Sequence, residues 1–112
     1  MKNLILENYD SLKESNYIRK TEPKSRYWGD FSYNKMEKFK TASNGNFNLI
    51  IYGDANKLDD YYIIPYSKLK DKLIEKSFSR DRDVATRKRW IFTIDNHNLK
   101  ISNDEGTVDI KE

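Results

Sequence analysis

The sequence predicts an α+β fold: a mostly antiparallel, partly barrel-like β-sheet with two or three helices against it. Three observations carry that prediction. Residues 47–64 read as two apolar strands, Phe47–Tyr52 and Tyr61–Ile64, joined by a polar turn and closed by Pro65. Residues 89–95 alternate, with Trp90, Phe92 and Ile94 on one face and Ile91, Thr93 and Asp95 on the other. Elsewhere, apolar residues recur at helical spacing, first near the N-terminus and again after Pro65.

The elements follow in order. Ile5, Tyr9, Leu12 and Asn16 predict a helix over residues 3–20, with Asn3 placed to cap it and Pro23 to end the segment. Residues 24–39 admit two readings: a strand from Ser25 to Trp28, or a short helix capped by Ser32 and carrying Tyr33, Met36 and Phe39. Ser43-Asn44-Gly45-Asn46 makes a turn. Phe47–Tyr52 is almost continuously apolar, as expected of a strand covered on both faces. Gly53-Asp54-Ala55-Asn56 leads into the second strand, and Ser67 then caps a helix from Lys68 to Lys76 with Leu69, Leu73 and Ile74 on one side. Beyond the charged connector Ser77–Arg89, the strand Arg89–Asp95, a turn at Asn96-His97-Asn98, a strand through Leu99 and Ile101, and a short strand Thr107–Lys111 form a three-stranded meander.

With 112 residues there is room for one domain and one core, either a whole protein or the N-terminal recognition domain of a longer one. Hydrophobic content is only 37%, but 13% aromatic residues compensate, because each ring buries more area than an aliphatic side chain. The absence of cysteine excludes disulfides, zinc–thiolate sites and thiol nucleophiles, and a single histidine excludes a His-His metal pair within one chain. The N-terminal apolar run breaks at Glu7, and no run is long enough for a membrane span, so a soluble cytoplasmic domain without cofactor is expected. A net charge of +3 from 21 basic and 18 acidic groups is a mild excess, so the placement of the charges matters more than their sum.

Two basic clusters stand out. Arg80, Arg82, Arg87, Lys88 and Arg89 precede Trp90 in a segment too polar for a core. Each can neutralise a phosphate, and arginine also presents a planar fork to guanine edges. Asp81 and Asp83 offset them, and the plainer reading is a solvated, self-paired loop. Lys24, Arg26, Tyr27 and Trp28, followed by Lys35, Lys38 and Lys40, interleave cations with rings, a pattern suited to backbone contact plus stacking. Its plainer reading puts Tyr27 and Trp28 in the core of a strand. A third constellation is acidic: Asp54, Asp59, Asp60 and Asp95, with Asp109-Ile110-Lys111 at the end of the chain. Carboxylates that hold Mg²⁺ beside a lysine would suit a nuclease. His97, between two asparagines, reads as a surface turn residue.

The run LIIYGD, then DDYYIIPYSKLKDKL and, after the connector, RWIFTIDNHNLKI, resembles DNA-recognition domains of bacterial restriction systems. In outline it is similar to the B3-like modules that read specific sites beside a nuclease or an AAA+ motor, a likeness covering residues 47–101. The resemblance implies an open barrel whose two arms grip the major groove, with the Lys24–Tyr33 segment and the Arg80–Arg89 connector as arms. The combined expectation is sequence- or modification-specific binding of double-stranded DNA in a restriction or defence context, non-catalytic by itself. Its candidate contacts are Lys24, Arg26, Tyr27, Lys35, Lys38, Arg80, Arg82, Arg87, Lys88 and Arg89. The alternatives are a Mg²⁺-dependent nuclease and a protein-binding module, such as a phage-encoded inhibitor anchored by exposed tyrosines.

Overall fold

The computed structural model describes residues 2–23, 27–78 and 88–111. In chain order the elements are α1 (Leu4–Glu7), α2 (Tyr9–Leu12), β1 (Asn16–Lys20), β2 (Glu22–Pro23), β3 (Tyr27–Ser32), α3 (Tyr33–Ser43), β4 (Asn48–Tyr52), β5 (Tyr61–Pro65) and α4 (Tyr66–Leu69). A 3-10 turn at Glu75–Ser77, β6 (Arg89–Asp95), β7 (Asn98–Ile101) and β8 (Val108–Asp109) complete them. The fold is α+β. One sheet has the order β1-β4-β5, with β1 parallel and β5 antiparallel to β4. The other is antiparallel, with the order β2-β3-β6-β7-β8. No ladder joins the two among the described residues, so the sheets stay open rather than closing into a barrel.

The C-terminal meander follows its alternation. Trp90, Phe92 and Ile94 of β6 and Leu99 and Ile101 of β7 are buried, while their neighbours in sequence face outward. Asn96 and His97, at φ 50° and 65°, make the two-residue hairpin loop whose left-handed backbone matches the strand twist. In the other sheet Leu49 and Ile51 face the shared core, and Ile50, pointing the opposite way, is buried as well. The strand β4 is therefore covered on both sides, as its unbroken apolar run predicts. Rings fill much of the space between the sheets. Tyr17 stacks on Phe39, Phe39 on Phe47 and Phe47 on Tyr66, while Phe31 stacks on Phe92 at 4.7 Å.

Gly29 of β3 lies opposite Phe92 in the ladder, and a Cβ there would come within 2.8 Å of the ring. Gly29→Ala should therefore destabilise the domain by about 2 kcal/mol through overpacking, read as a lower urea midpoint. An unchanged midpoint would mean that the ring swings aside at no cost.

Two expectations need correction. Residues 3–20 are not one helix: α1 and α2 are each four residues long, and the chain then enters β1. Asn8 breaks the run at φ −111°, ψ 19°, where both its main-chain N–H and its side-chain amide bond to the Leu4 carbonyl. Parallel pairing with β4 then takes over residues 16–20 and buries Tyr17, a tertiary gain that outweighs local propensity. Asn3 does cap α1, its Oδ1 accepting the N–H of Ile5 at 2.9 Å. The helix expected over 68–76 shrinks to α4, which begins directly after Pro65. Leu69 and Leu73 still reach the core, and the Ile74 carbonyl accepts both the indole N–H of Trp90 at 2.9 Å and the N–H of Ser77 at 3.0 Å, the latter closing the 3-10 turn that stands in place of a longer α-helix. Of the two readings of residues 24–39, the helix capped by Ser32 is present as α3, and β3 runs from Tyr27 to Ser32 just before it, while Ser25 and Arg26 of the expected strand lie outside the described residues.

Candidate functional site

The two expected arms meet the sheet through neighbouring strands, β3 and β6. These run antiparallel, with Tyr27 opposite Ile94 and Ser32 opposite Arg89. Tyr27 and Arg89 thus stand five residue steps apart along β3, roughly 17 Å at ~3.4 Å per step. Tyr27–Ser32 is itself a strand inside the sheet, between β2 and β6. Lys24, Arg26, Arg80, Arg82 and Arg87 lie outside the described residues.

The described members of these segments have intramolecular partners. The hydroxyl of Tyr27 donates to Asp60 at 3.0 Å, and Asp60 Oδ2 also accepts the N–H of Asp54 at 2.8 Å. Gly53 makes room for this contact, because a Cβ there would sit 2.5 Å from Asp60 Oδ2. Burial, reinforced by the adjacent Asp60 carboxylate, pushes the Tyr27 hydroxyl from its ordinary 10.0 to about 12. A group raised on folding contributes stability that is complete below its unfolded value and is lost as pH climbs to its folded value. Tyr27 should therefore add an alkaline loss of stability between pH 10 and about 12. In urea titrations across that window, Tyr27→Phe should decline less steeply than the parent. Parallel curves would count against the Tyr27–Asp60 bond.

Arg89 bonds to Asp30 Oδ2 at 2.8 Å, while Arg19 of β1 takes Oδ1 of the same carboxylate and donates through Nε to the Asp30 carbonyl. Beside it, the Ser32 N–H donates to the Tyr17 hydroxyl at 2.8 Å, and burial raises the pKa of that tyrosine. These side chains tie β1 to β3 where no ladder does. Lys88 is exposed at the start of α3, its amine 5.8 Å from the Tyr33 ring centroid and its carbonyl accepting the Tyr33 N–H.

Lys35 and Lys38 lie elsewhere, in a cleft. Helical spacing places Lys35, Lys38 and Ala42 on one stripe of α3, facing the end of α2 and the strand β1. Between them lies a cleft of about 330 Å³, lined also by Tyr9, Lys13, Glu14, Asn16, Tyr17, Ile18 and Phe39. Its lining is aromatic and aliphatic with three lysines against one glutamate. Lys13 pairs with Asp10 at 3.2 Å, but both side chains are substantially exposed, so that pair holds Lys13 only weakly. Lys40, on the other flank of α3, pairs with Glu37 at 2.8 Å and lies near the Tyr66 ring. The sequence flags Lys35 and Lys38 but not Lys13, which falls inside the helix expected over residues 3–20. Only the parallel pairing of β1 with β4 brings Lys13 to α3, and that pairing has no local signature.

The acidic constellation is partly aligned. Asp95, Asn98 and Asp109 occupy one cross-strand row of β6, β7 and β8. Asp109 Oδ1 accepts the N–H of Lys111 at 2.9 Å. Among the described residues, no group of three or more histidine, aspartate or glutamate side chains is placed to hold a metal ion. His97 is exposed, its Nδ1 2.6 Å from the Tyr62 hydroxyl. Among the same residues, no helix is long and apolar enough to cross a membrane. Compared with protein-family models, curated proteins and solved structures, the chain matches none.

Proposed function

We propose that this chain is a DNA-binding module that holds the phosphate backbone of double-stranded DNA through Lys13, Lys35 and Lys38. The observation supporting this reading is the cleft, where three lysines from two distant segments line one cavity together with aromatic residues. Lysine at such a rim acts as a point charge on phosphate and positions the nucleic acid without reading its sequence. Cutting or translocation would belong to a nuclease or AAA+ partner, in a bacterial or phage-encoded defence system of the kind the B3-like resemblance implies.

Each neutralised phosphate releases a condensed counterion, so affinity should fall steeply with salt. The test is fluorescence anisotropy of a labelled short duplex over a salt series. The double variant Lys35→Ala/Lys38→Ala is expected to bind more weakly and to flatten the slope of log K against log salt by about 2. An unchanged affinity and slope would remove the cleft from the binding surface.

A further inference from the structure

We infer that the cleft between α2, β1 and α3 accepts one unstacked nucleobase, so the favoured ligand carries an unpaired nucleotide. This rests on the backbone-binding reading for its electrostatic part and adds to it what the floor of the cleft does.

Three observations converge on a flat, anionic-tailed occupant. The first is size: about 330 Å³ lies at the small end of the ~300–1,000 Å³ range of ligand pockets, suited to one nucleotide. The second is the wall. Tyr9 is 41% exposed, with the Lys13 amine 5.7 Å from its ring centroid, and Phe39, Ile18 and Ala42 continue the apolar surface. A base in a duplex has its faces covered by neighbours and its edge by its partner, so only an unpaired base can offer a free face to such a wall. The third is charge complementarity. Lys13, Lys35 and Lys38 outnumber Glu14, and they belong to side chains long enough to reach phosphates on either side of an inserted base. Asn16 and Ile18 of β1 complete the lining.

An acidic peptide with an aromatic side chain has some of the same features. It lacks phosphates at the regular spacing that three separated ammonium groups can engage, and the nucleotide is therefore the better match.

The experiment uses the full chain and three labelled probes of equal length: a matched duplex, the same duplex with one unpaired nucleotide, and the single strand. Binding is measured over a salt series for the parent, for Ala42→Leu and for Tyr9→Ala. Ala42 is an exposed helix residue, so leucine there narrows the cleft without removing a charge. The parent should favour the two probes with an unpaired base over the matched duplex by about tenfold, the scale of one base–aromatic stack. Ala42→Leu should abolish that preference, and Tyr9→Ala should reduce it severalfold. Should Ala42→Leu fail to fold, Tyr9→Ala, which removes an exposed ring, decides the question. Equal affinity for all three probes, or a preference that survives both variants, would overturn the inference while salt-dependent duplex binding keeps the backbone reading. The absence of salt-dependent binding to any probe would overturn both. Displacement of no probe but tight binding of an acidic aromatic peptide would assign the cleft to a protein ligand instead.

Discussion

Asn3→Ala is expected to cost about 4 kcal/mol, a large share of the stability of a domain this size. Asn3 is fully buried, and its amide donates to the carbonyls of Asp54, Lys57 and Asp60 at 3.3, 2.9 and 3.0 Å. Its Oδ1 caps α1, and the main chain adds Asn3 N–H to the Ala55 carbonyl at 2.8 Å and Leu4 N–H to the Leu58 carbonyl at 3.0 Å. One side chain therefore fixes the loop between β4 and β5, and with it the Asp60 that holds Tyr27. Alanine would strand several polar groups and remove the cap, at about 1–3 kcal/mol for each unsatisfied group and ~1 kcal/mol for the cap. Asn3→Asp keeps the capping oxygen but sets a carboxylate against three carbonyl oxygens, so it should be at least as harmful. Urea unfolding measures both, and near-parental stability in either would contradict this role.

Asp30→Ala is the second large effect, at about 2 kcal/mol. The Asp30 side chain is 21% exposed and serves Arg89 and Arg19, whose side chains are 29% and 36% exposed. Removing the carboxylate leaves two guanidinium groups facing each other without an anion, and partial exposure keeps the cost below that of a fully buried pair. The same change loosens β1 from β3, because it removes the Arg19 bond to the Asp30 carboxylate and leaves Arg19 only its Nε bond to the residue-30 carbonyl. The loss should shrink as salt rises and screens the repulsion. Equal stability of parent and variant at low salt would rule out the bridge.

How far the sequence could be read depended on whether the signal was local. The alternation of Trp90, Phe92 and Ile94 reports one covered face, and it fixed β6 and the meander. The unbroken run in β4 reports two covered faces, and Ser32 signals the start of α3 through its own side chain. By contrast, Asn16–Lys20 contributes one fully buried residue, Tyr17, and becomes a strand because β4, some thirty residues later, pairs with it. No pattern within five residues encodes that partner. The site divides in the same way. Lys35 and Lys38 are visible as basic residues one turn apart on a helix, whereas Lys13 joins them only through the fold. Arg89 and Tyr27 look like ligand-binding side chains in the sequence, yet each is held by a carboxylate far along the chain, Asp30 and Asp60 respectively. Composition reveals which charges exist but not which of them are already paired.

The most direct measurement of where a polyanion lands is a two-dimensional amide spectrum recorded while a short duplex is titrated into the labelled protein. If the cleft is the landing site, the largest shifts fall on Tyr9, Lys13, Asn16, Lys35, Lys38 and Ala42. Shifts confined to the outer face of the five-stranded sheet, around Thr93, Lys100 and Asp109, with the cleft amides unmoved, would contradict it.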